Sequence, residues 1–231
     1  MQAVILAAGR GTRMGELTND LPKPLLKISG RPILEYTLNN LPEDISEVIF
    51  VTGYKGELIK EHFGGNYNGK KIKYVEQTDL NGTAGALWLT KDILRGKFLV
   101  LMGDDLYHKD DLEKLVSYDL VLLVKEVANN TRFGVVATDE DGYLKEVVEY
   151  KFLKDRPAGN LVNTGAYVLN AKIFDYAPVA ISDKEFGLPQ TLAQMADKHK
   201  IKVIKANVWH PNGYEEDLIR GEAVARKYFK I

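Results

Sequence analysis

The sequence contains no cysteine, which excludes disulfides, thiolate metal sites and cysteine nucleophiles together. Its four histidines, His62, His108, His199 and His210, are scattered and offer no close pair for zinc. No apolar run is long enough to span a bilayer. Met1 is followed almost at once by a strand-like run, so no signal peptide is expected. An excess of one charge is also missing: 31 Lys+Arg stand against 32 Asp+Glu. No broad nucleic-acid footprint is therefore expected, and any anion site must be a local cluster. Linkers, low-complexity runs and internal repeats are absent as well. These absences leave an ordinary globular protein, with the cytoplasm as the default compartment and neither nucleic acid nor membrane as a partner. At 231 residues the chain can bury one sizeable core.

What is present is an alternation of strand-like and helix-like patterns. Residues 3–6, 47–52, 71–76, 97–102 and 120–124 read as strands, and 54–63, 83–93 and 110–118 as helices. Strands separated by helices of this length predict βαβ units and a mainly parallel sheet. From Phe133 the pattern changes. Residues 133–138, 143–149 and 161–169 are strand-like, with Asp139-Glu140-Asp141-Gly142 as a hairpin turn. A helix over 186–199, a strand over 201–207 and an amphipathic closing helix over 215–229 complete the pattern. The expected fold is a single α/β domain. It has an open, twisted, mostly parallel but mixed sheet, helices on both faces and a small β lobe.

In open α/β sheets ligands bind beyond the carboxyl ends of the strands. Three segments fall there: Ala8-Gly9-Arg10-Gly11-Thr12-Arg13, residues 77–85, and Gly103-Asp104-Asp105. Gly9 and Gly11 leave backbone amides uncovered, so an anion can approach without meeting a Cβ. Arg10, Arg13 and Lys23 add three cations, and Pro22 and Pro24 stiffen the backbone that carries Lys23. Such a loop suits a polyphosphate, the bland alternative being a structural turn. Asp104, just after a buried strand, is a rigidly placed hard-oxygen ligand suited to Mg²⁺; taken alone, a turn or helix cap is the favoured reading, and the cationic glycine loop beside it tips the balance to the metal. Gly9, Gly11 and Gly15 also approximate a dinucleotide-binding fingerprint. However, the second strand ends Val51-Thr52-Gly53-Tyr54 with no acid for a ribose hydroxyl, which disfavours a nicotinamide-dependent oxidoreductase.

Leu6-Ala7-Ala8-Gly9-Arg10-Gly11-Thr12-Arg13-Met14 with Pro22-Lys23-Pro24-Leu25 closely resembles the signature of the sugar-1-phosphate nucleotidylyltransferases. The resemblance continues through Gly82-Thr83-Ala84-Gly85-Ala86-Leu87, Gly103-Asp104-Asp105, Asn163-Thr164-Gly165 and residues 209–218, essentially the whole chain. It implies a Rossmann-like, GT-A-like fold that joins a nucleoside triphosphate to a sugar 1-phosphate and releases pyrophosphate, with Mg²⁺ as cofactor. Family members frequently form dimers or tetramers. The resemblance further implies a nucleotide-binding half over 1–125 and a sugar-phosphate half over 126–231. The nucleotide falls to Leu6, Ala7, Ala8, Gly9, Arg10, Gly11, Thr12, Gln77, Gly82 and Thr83. Catalysis falls to Arg13, Lys23 and Asp104, and the sugar phosphate to Gly134, Glu149, Lys151, Asn163 and Thr164. The spacing of Gln77 and Gly82 resembles that of thymidylyl and uridylyl members, which favours UTP or dTTP. Guanylyl and cytidylyl members share parts of the pattern and stay open. The attacking sugar-phosphate oxygen is already anionic, so in-line transfer needs no general base.

The chain departs from the family pattern twice. Glu149-Tyr150-Lys151-Phe152 stands where the family has Glu-Lys-Pro. Trp209-His210-Pro211-Asn212-Gly213 stands for Trp-x-Asp-x-Gly, putting Pro211 in the place of a metal-binding aspartate. Asn212 is the expected substitute ligand for Mg²⁺, and Asp217 is expected in the first turn of the closing helix, where an acid suits the dipole. This departure keeps a second expectation open: a catalytically weakened relative that binds nucleotide or nucleotide-sugar.

Overall fold

The computed structural model describes residues 1–149 and 159–229. Four parallel strands form the first half of the sheet: β1 (Gln2–Ala7), β2 (Glu47–Thr52), β3 (Lys70–Glu76) and β4 (Lys97–Met102). β1 lies between β2 and β4, with Val4 opposite Ile49 and Val100, and β3 pairs outside β2. Successive β1 side chains enter opposite cores: Ala3, Ile5 and Ala7 face one, Val4 and Leu6 the other. A strand covered on both sides has no polar face to alternate with, so it reads as a continuous apolar run. Three helices cover the first face: α1 (Ile33–Asn39), α2 (Gly56–Phe63) and, further along, α4 (Lys109–Val116). They bury Leu34 and Leu38, Ile59 and Phe63, and Leu112 and Leu115. On the other face, α3 (Gly82–Trp88) and α5 (Leu188–Ala196) bury Ala84 and Leu87, and Leu192 and Met195.

The second half of the sheet is mixed. It comprises β5 (Val121–Glu126), β6 (Val135–Thr138), β7 (Leu144–Val148), β8 (Leu161–Asn170) and β9 (Lys202–Lys205). β8 runs antiparallel to β4, β5 and β6, whereas β9 is parallel to β5. The expected β region is thus continuous with the main sheet. Its order runs β7-β6-β8-β4-β1-β2-β3. β8 passes from one set of partners to the next through a bulge between Asn163 and Ala166. There Gly165 takes φ 75, and a Cβ on it would lie 2.4 Å from Met102 Cγ. Only glycine fits that turn beside the sheet.

A third cluster, including Met14, Ile28, Tyr36, Leu106, Ala225 and Phe229, holds the closing helix α6 (Glu215–Tyr228) against the opening segment. Just before α6, Trp209–His210 pairs with Leu106–Tyr107, which brings the chain's last quarter beside Asp104 and Asp105. Two expected helices are shorter than their patterns. The 83–93 helix stops at Trp88, and the Thr90 hydroxyl donates to the Leu87 carbonyl at 2.6 Å. The 186–199 helix begins only at Leu188, because Phe186–Gly187 is tied into a strand pair with Val179–Ala180. α1 and the 3-10 turns Thr12–Thr18 and Lys23–Leu25 have no counterpart in the sequence pattern, being too short to show periodicity. Among the described residues no helix is long and apolar enough to cross a membrane.

Candidate active site

The chain leaves β1 at Ala7 and turns through Gly11, whose φ of 68 and ψ of 33 lie in the left-handed region. A Cβ on Gly11 would stand 3.1 Å from the Lys23 Cβ, so glycine allows the loop and the lysine to touch. The neighbouring strand ends approach as closely. Gly103 N donates to Leu6 O at 2.9 Å, and Tyr54 N donates to Ala8 O at 3.0 Å. No atom lies within 4 Å of a Cβ built on Gly9, so its face is open.

This loop forms one wall of a cavity of about 420 Å³. Leu6, Ala7, Ala8, Gly9, Arg10, Gly11, Arg13 and Lys23 line that wall, and Gln77, Gly82, Thr83 and Asp104 face them. Of the expected nucleotide-binding residues only Thr12 is absent from the lining. Leu80, Ala86, Met102, Glu185 and Gly213 also line the cavity and were not anticipated as site residues. Leu80 carried one usable signal, an apolar side chain in a polar turn, and it is 47 % exposed. Glu185 carried none, since its place depends on the Val179–Ala180 hairpin folding over α3.

Lys23 is buried, and its ammonium pairs with the Asp104 carboxylate. Pro22 and Pro24 hold it in the 3-10 turn Lys23–Leu25, which packs against α1. Asp104 keeps 32 % of its side chain exposed toward the cavity. Its neighbour Asp105 points inward and is pushed up to about 8, first by burial and then by the adjacent Asp104 charge. Trp209 Nε1 donates to Asp105 Oδ2 at 3.0 Å, and Asn212 N donates to Oδ1 at 3.3 Å. Asp105 therefore anchors the 209–213 segment and offers nothing to the cavity.

Asn212 lies behind Asp104, outside the cavity lining. Its side chain is fully buried and Nδ2 donates to the Asp104 carbonyl at 2.9 Å. Oδ1 has no partner and lies 3.3 Å from where a Cβ on Gly221 would stand, against α6. The Asp104 backbone thus fixes the amide, and its oxygen is left buried without a partner. Asp217 does lie in the first turn of α6, buried and accepting from Tyr214 N at 2.9 Å. Among the described residues no group of three His, Asp or Glu side chains could hold a metal. Asp104 remains as a hard-oxygen donor facing the cavity, and Mg²⁺ needs only one or two carboxylates when phosphate oxygens supply the rest.

On the opposite wall, Gln77 is buried and its Nε2 donates to Asn81 Oδ1 at 3.0 Å and to Gly82 O at 3.2 Å. Gly82 takes φ 93, and a Cβ on it would stand 2.4 Å from Phe186 O. Phe186 N donates to Asn81 O at 2.8 Å, and Leu188 N donates to Thr83 Oγ1 at 3.0 Å. These bonds fasten the 186–188 segment over the start of α3.

The sugar-side residues lie apart from the cavity lining. Glu149 Oε1 is 3.3 Å from a Cβ built on Gly134, and it accepts from Gln190 Nε2 at 2.9 Å. Glu149 and Gln190 border a shallower hollow of about 300 Å³. Asn163 Nδ2 donates to Tyr167 Oη at 2.8 Å, and its Oδ1 accepts from Gly165 N. The Thr164 hydroxyl is buried and donates to Leu123 O at 2.8 Å, holding β8 to β5. Lys151 lies outside the described residues.

Comparisons with known proteins follow this geometry. The family model described as nucleotidyl transferase matches residues 2–225. The chain is 35 % identical over 224 residues to the bifunctional protein GlmU of Methanococcus aeolicus, covering 95 % of this chain and 53 % of that protein. It thus spans about half the length of the GlmU relatives it matches. It is 32 % identical to the UTP–glucose-1-phosphate uridylyltransferase AglF of Haloferax volcanii, covering 98 % of this chain and 96 % of the relative. Among solved structures, UDP-glucose pyrophosphorylase from Acinetobacter baumanii superposes with a TM-score of 0.82 over 99 % of this chain and 95 % of that one. At 20 % identity this last likeness is one of fold. With a family match running nearly end to end and relatives above 30 % identity over almost all of its length, the chain belongs to the nucleotidyl transferase family.

Proposed function

We propose that this protein transfers a nucleotidyl group from a nucleoside triphosphate, UTP or dTTP, to a sugar 1-phosphate. One observation carries the reading: a glycine loop, two arginines, a buried lysine and a partly exposed aspartate line a single cavity. The open amide face at Gly9 with Arg10 and Arg13 suits the β- and γ-phosphates. Lys23 offsets repulsion between the α-phosphate and the incoming sugar phosphate. The sugar-phosphate oxygen bonds to the α-phosphorus as the α–β bridging bond breaks, and pyrophosphate leaves with its charge met by Arg13. No proton moves, so positioning and charge neutralisation supply the rate. Asp104 would hold Mg²⁺, which supplies further neutralisation of phosphate charge.

With Gln77 Nε2 engaged by Asn81 and Gly82, its Oε1 is the group left to meet a base. An acceptor there matches the N3–H of uracil or thymine. The AglF relative is a UTP–glucose-1-phosphate uridylyltransferase, which supports UTP over dTTP. Glu149, held by Gln190, and Asn163, held by Tyr167, suit the sugar hydroxyls. A pyrophosphate-release assay over a panel of triphosphates and sugar 1-phosphates tests the proposal. Turnover is expected to be greatest with UTP or dTTP. No turnover with any pairing, while nucleotide still binds, would leave a nucleotide-binding relative instead.

A further inference from the structure

We propose that Tyr214 is a positioning residue for Arg13, and that it orients the guanidinium without neutralising it. This rests on the reading of Arg13 as a ligand of the leaving pyrophosphate. Three segments remote in sequence meet here. Arg13 lies in the turn after the glycine loop, Arg132 precedes β6, and Tyr214 caps α6 immediately after the cavity-lining Gly213. The Arg13 guanidinium lies 5.3 Å from the Tyr214 ring centroid, and that of Arg132 lies 4.0 Å from the same centroid.

The charge arrangement gives the stack its direction. Asp217 is the buried acid beside Tyr214, and Arg132 holds both of its oxygens, at 2.5 Å from Nη2 and 3.4 Å from Nη1. That pairing occupies the carboxylate beside Tyr214, which would otherwise compete for Arg13. Among the described residues Arg13 forms no ion pair. A carboxylate partner would fix Arg13 but cancel the charge an anion needs. An aromatic face restricts the guanidinium and leaves its positive charge and its N–H donors free. Arg132, tied to Asp217 and stacked on the ring, keeps the ring itself from swinging.

Isothermal titration of the full chain with inorganic pyrophosphate tests this, comparing wild type with Arg13→Ala, Tyr214→Leu, Tyr214→Phe and the Arg13→Ala/Tyr214→Leu double variant. Tyr214→Leu is expected to weaken pyrophosphate binding about two- to five-fold, the range of an exposed cation–π contact. Tyr214→Phe, which keeps the ring, is expected to bind as wild type. On the Arg13→Ala background Tyr214→Leu is expected to add no further loss. A purely structural role for Tyr214 would lower the melting temperature and leave pyrophosphate affinity alone. Should Tyr214→Leu fail to fold, Arg132→Lys applies the same test: it keeps the charge for Asp217 and loses the planar face on the ring, so it should also weaken binding. Wild-type affinity in Tyr214→Leu with a loss in Arg13→Ala, or an equal loss on both backgrounds, overturns the positioning role alone. Unchanged affinity in Arg13→Ala overturns the reading of Arg13, and this proposal with it.

Discussion

Replacing Gly82 with alanine tests whether the cavity wall proposed to meet the base is made of backbone. Gly82 sits at φ 93, and an added Cβ would lie 2.4 Å from Phe186 O and 2.8 Å from Phe186 N. Reaching an ordinary contact of 3.4 Å requires the Phe186 peptide to retreat by about 1 Å. Its N–H bond to Asn81 O, now 2.8 Å, cannot survive that shift. The positive φ costs an L-residue roughly 1–2 kcal/mol, and the lost hydrogen bond about 1 kcal/mol more. A destabilisation of about 2–3 kcal/mol corresponds to a melting temperature lower by roughly 5–10 °C for a chain of this size. Gly69→Ala is the internal control: φ is 79 there but nothing lies within 4 Å of the new Cβ, so it carries the dihedral cost alone. Calorimetry should separate the two variants, and KM for the nucleoside triphosphate should rise in Gly82→Ala only. Equal melting shifts in the two, or an unchanged KM in Gly82→Ala, would refute the claim that the Phe186 backbone forms this wall.

Four further outcomes are expected. Lys23→Met should lower kcat by about 10²–10³, the loss typical of one preorganised charge donor, and a variant with wild-type kcat would remove Lys23 from the mechanism. Calorimetric titration should find weak Mg²⁺ binding to the protein alone and tighter binding with a non-hydrolysable triphosphate, with Asp104→Ala abolishing the gain, because Asp104 is the carboxylate proposed to hold the metal and lines the cavity beside Lys23. Gln77→Ala should chiefly relax the choice between uridine and other triphosphates in a competition assay, since it removes the acceptor proposed for N3–H. The last concerns acid stability. Burial raises the Glu47 carboxyl, but the hydrogen bonds from Lys73 and Gln2 outweigh it and hold the group below its ordinary 4.5. A carboxylate depressed in the folded state contributes stability above its unfolded value and loses it as pH falls through the folded one. Thermal melts of wild type should therefore fall more steeply below pH 4.5 than those of Glu47→Gln.

Much of the site was legible because it is local in the chain. A glycine loop after an apolar strand, a lysine between prolines and an aspartate at a strand end are positioned by neighbours within a few residues. The structure gathers Gly9, Arg13, Lys23 and Asp104 around one cavity. α1 escaped notice because seven residues give barely two turns of periodicity. The partners of Thr164 and Asn212 are not legible in the sequence for a different reason. Both stand at the right place in the chain, yet Leu123 O takes the hydroxyl of one and Asp104 O the amide of the other. Which way a side chain turns depends on the partner across the fold.

The sequence by itself determined the α/β alternation, the glycine loop after the first strand and the cations beside it, since apolar periodicity and glycine placement act over short range. Tertiary structure decided the rest. It bonded the later strands into the main sheet through β8, and it turned Asp105 inward to anchor the segment around Trp209. It also stacked Arg13 and Arg132 on one ring from positions 119 residues apart. A buried polar group must find a partner wherever the fold supplies one, and no window along the chain contains that partner.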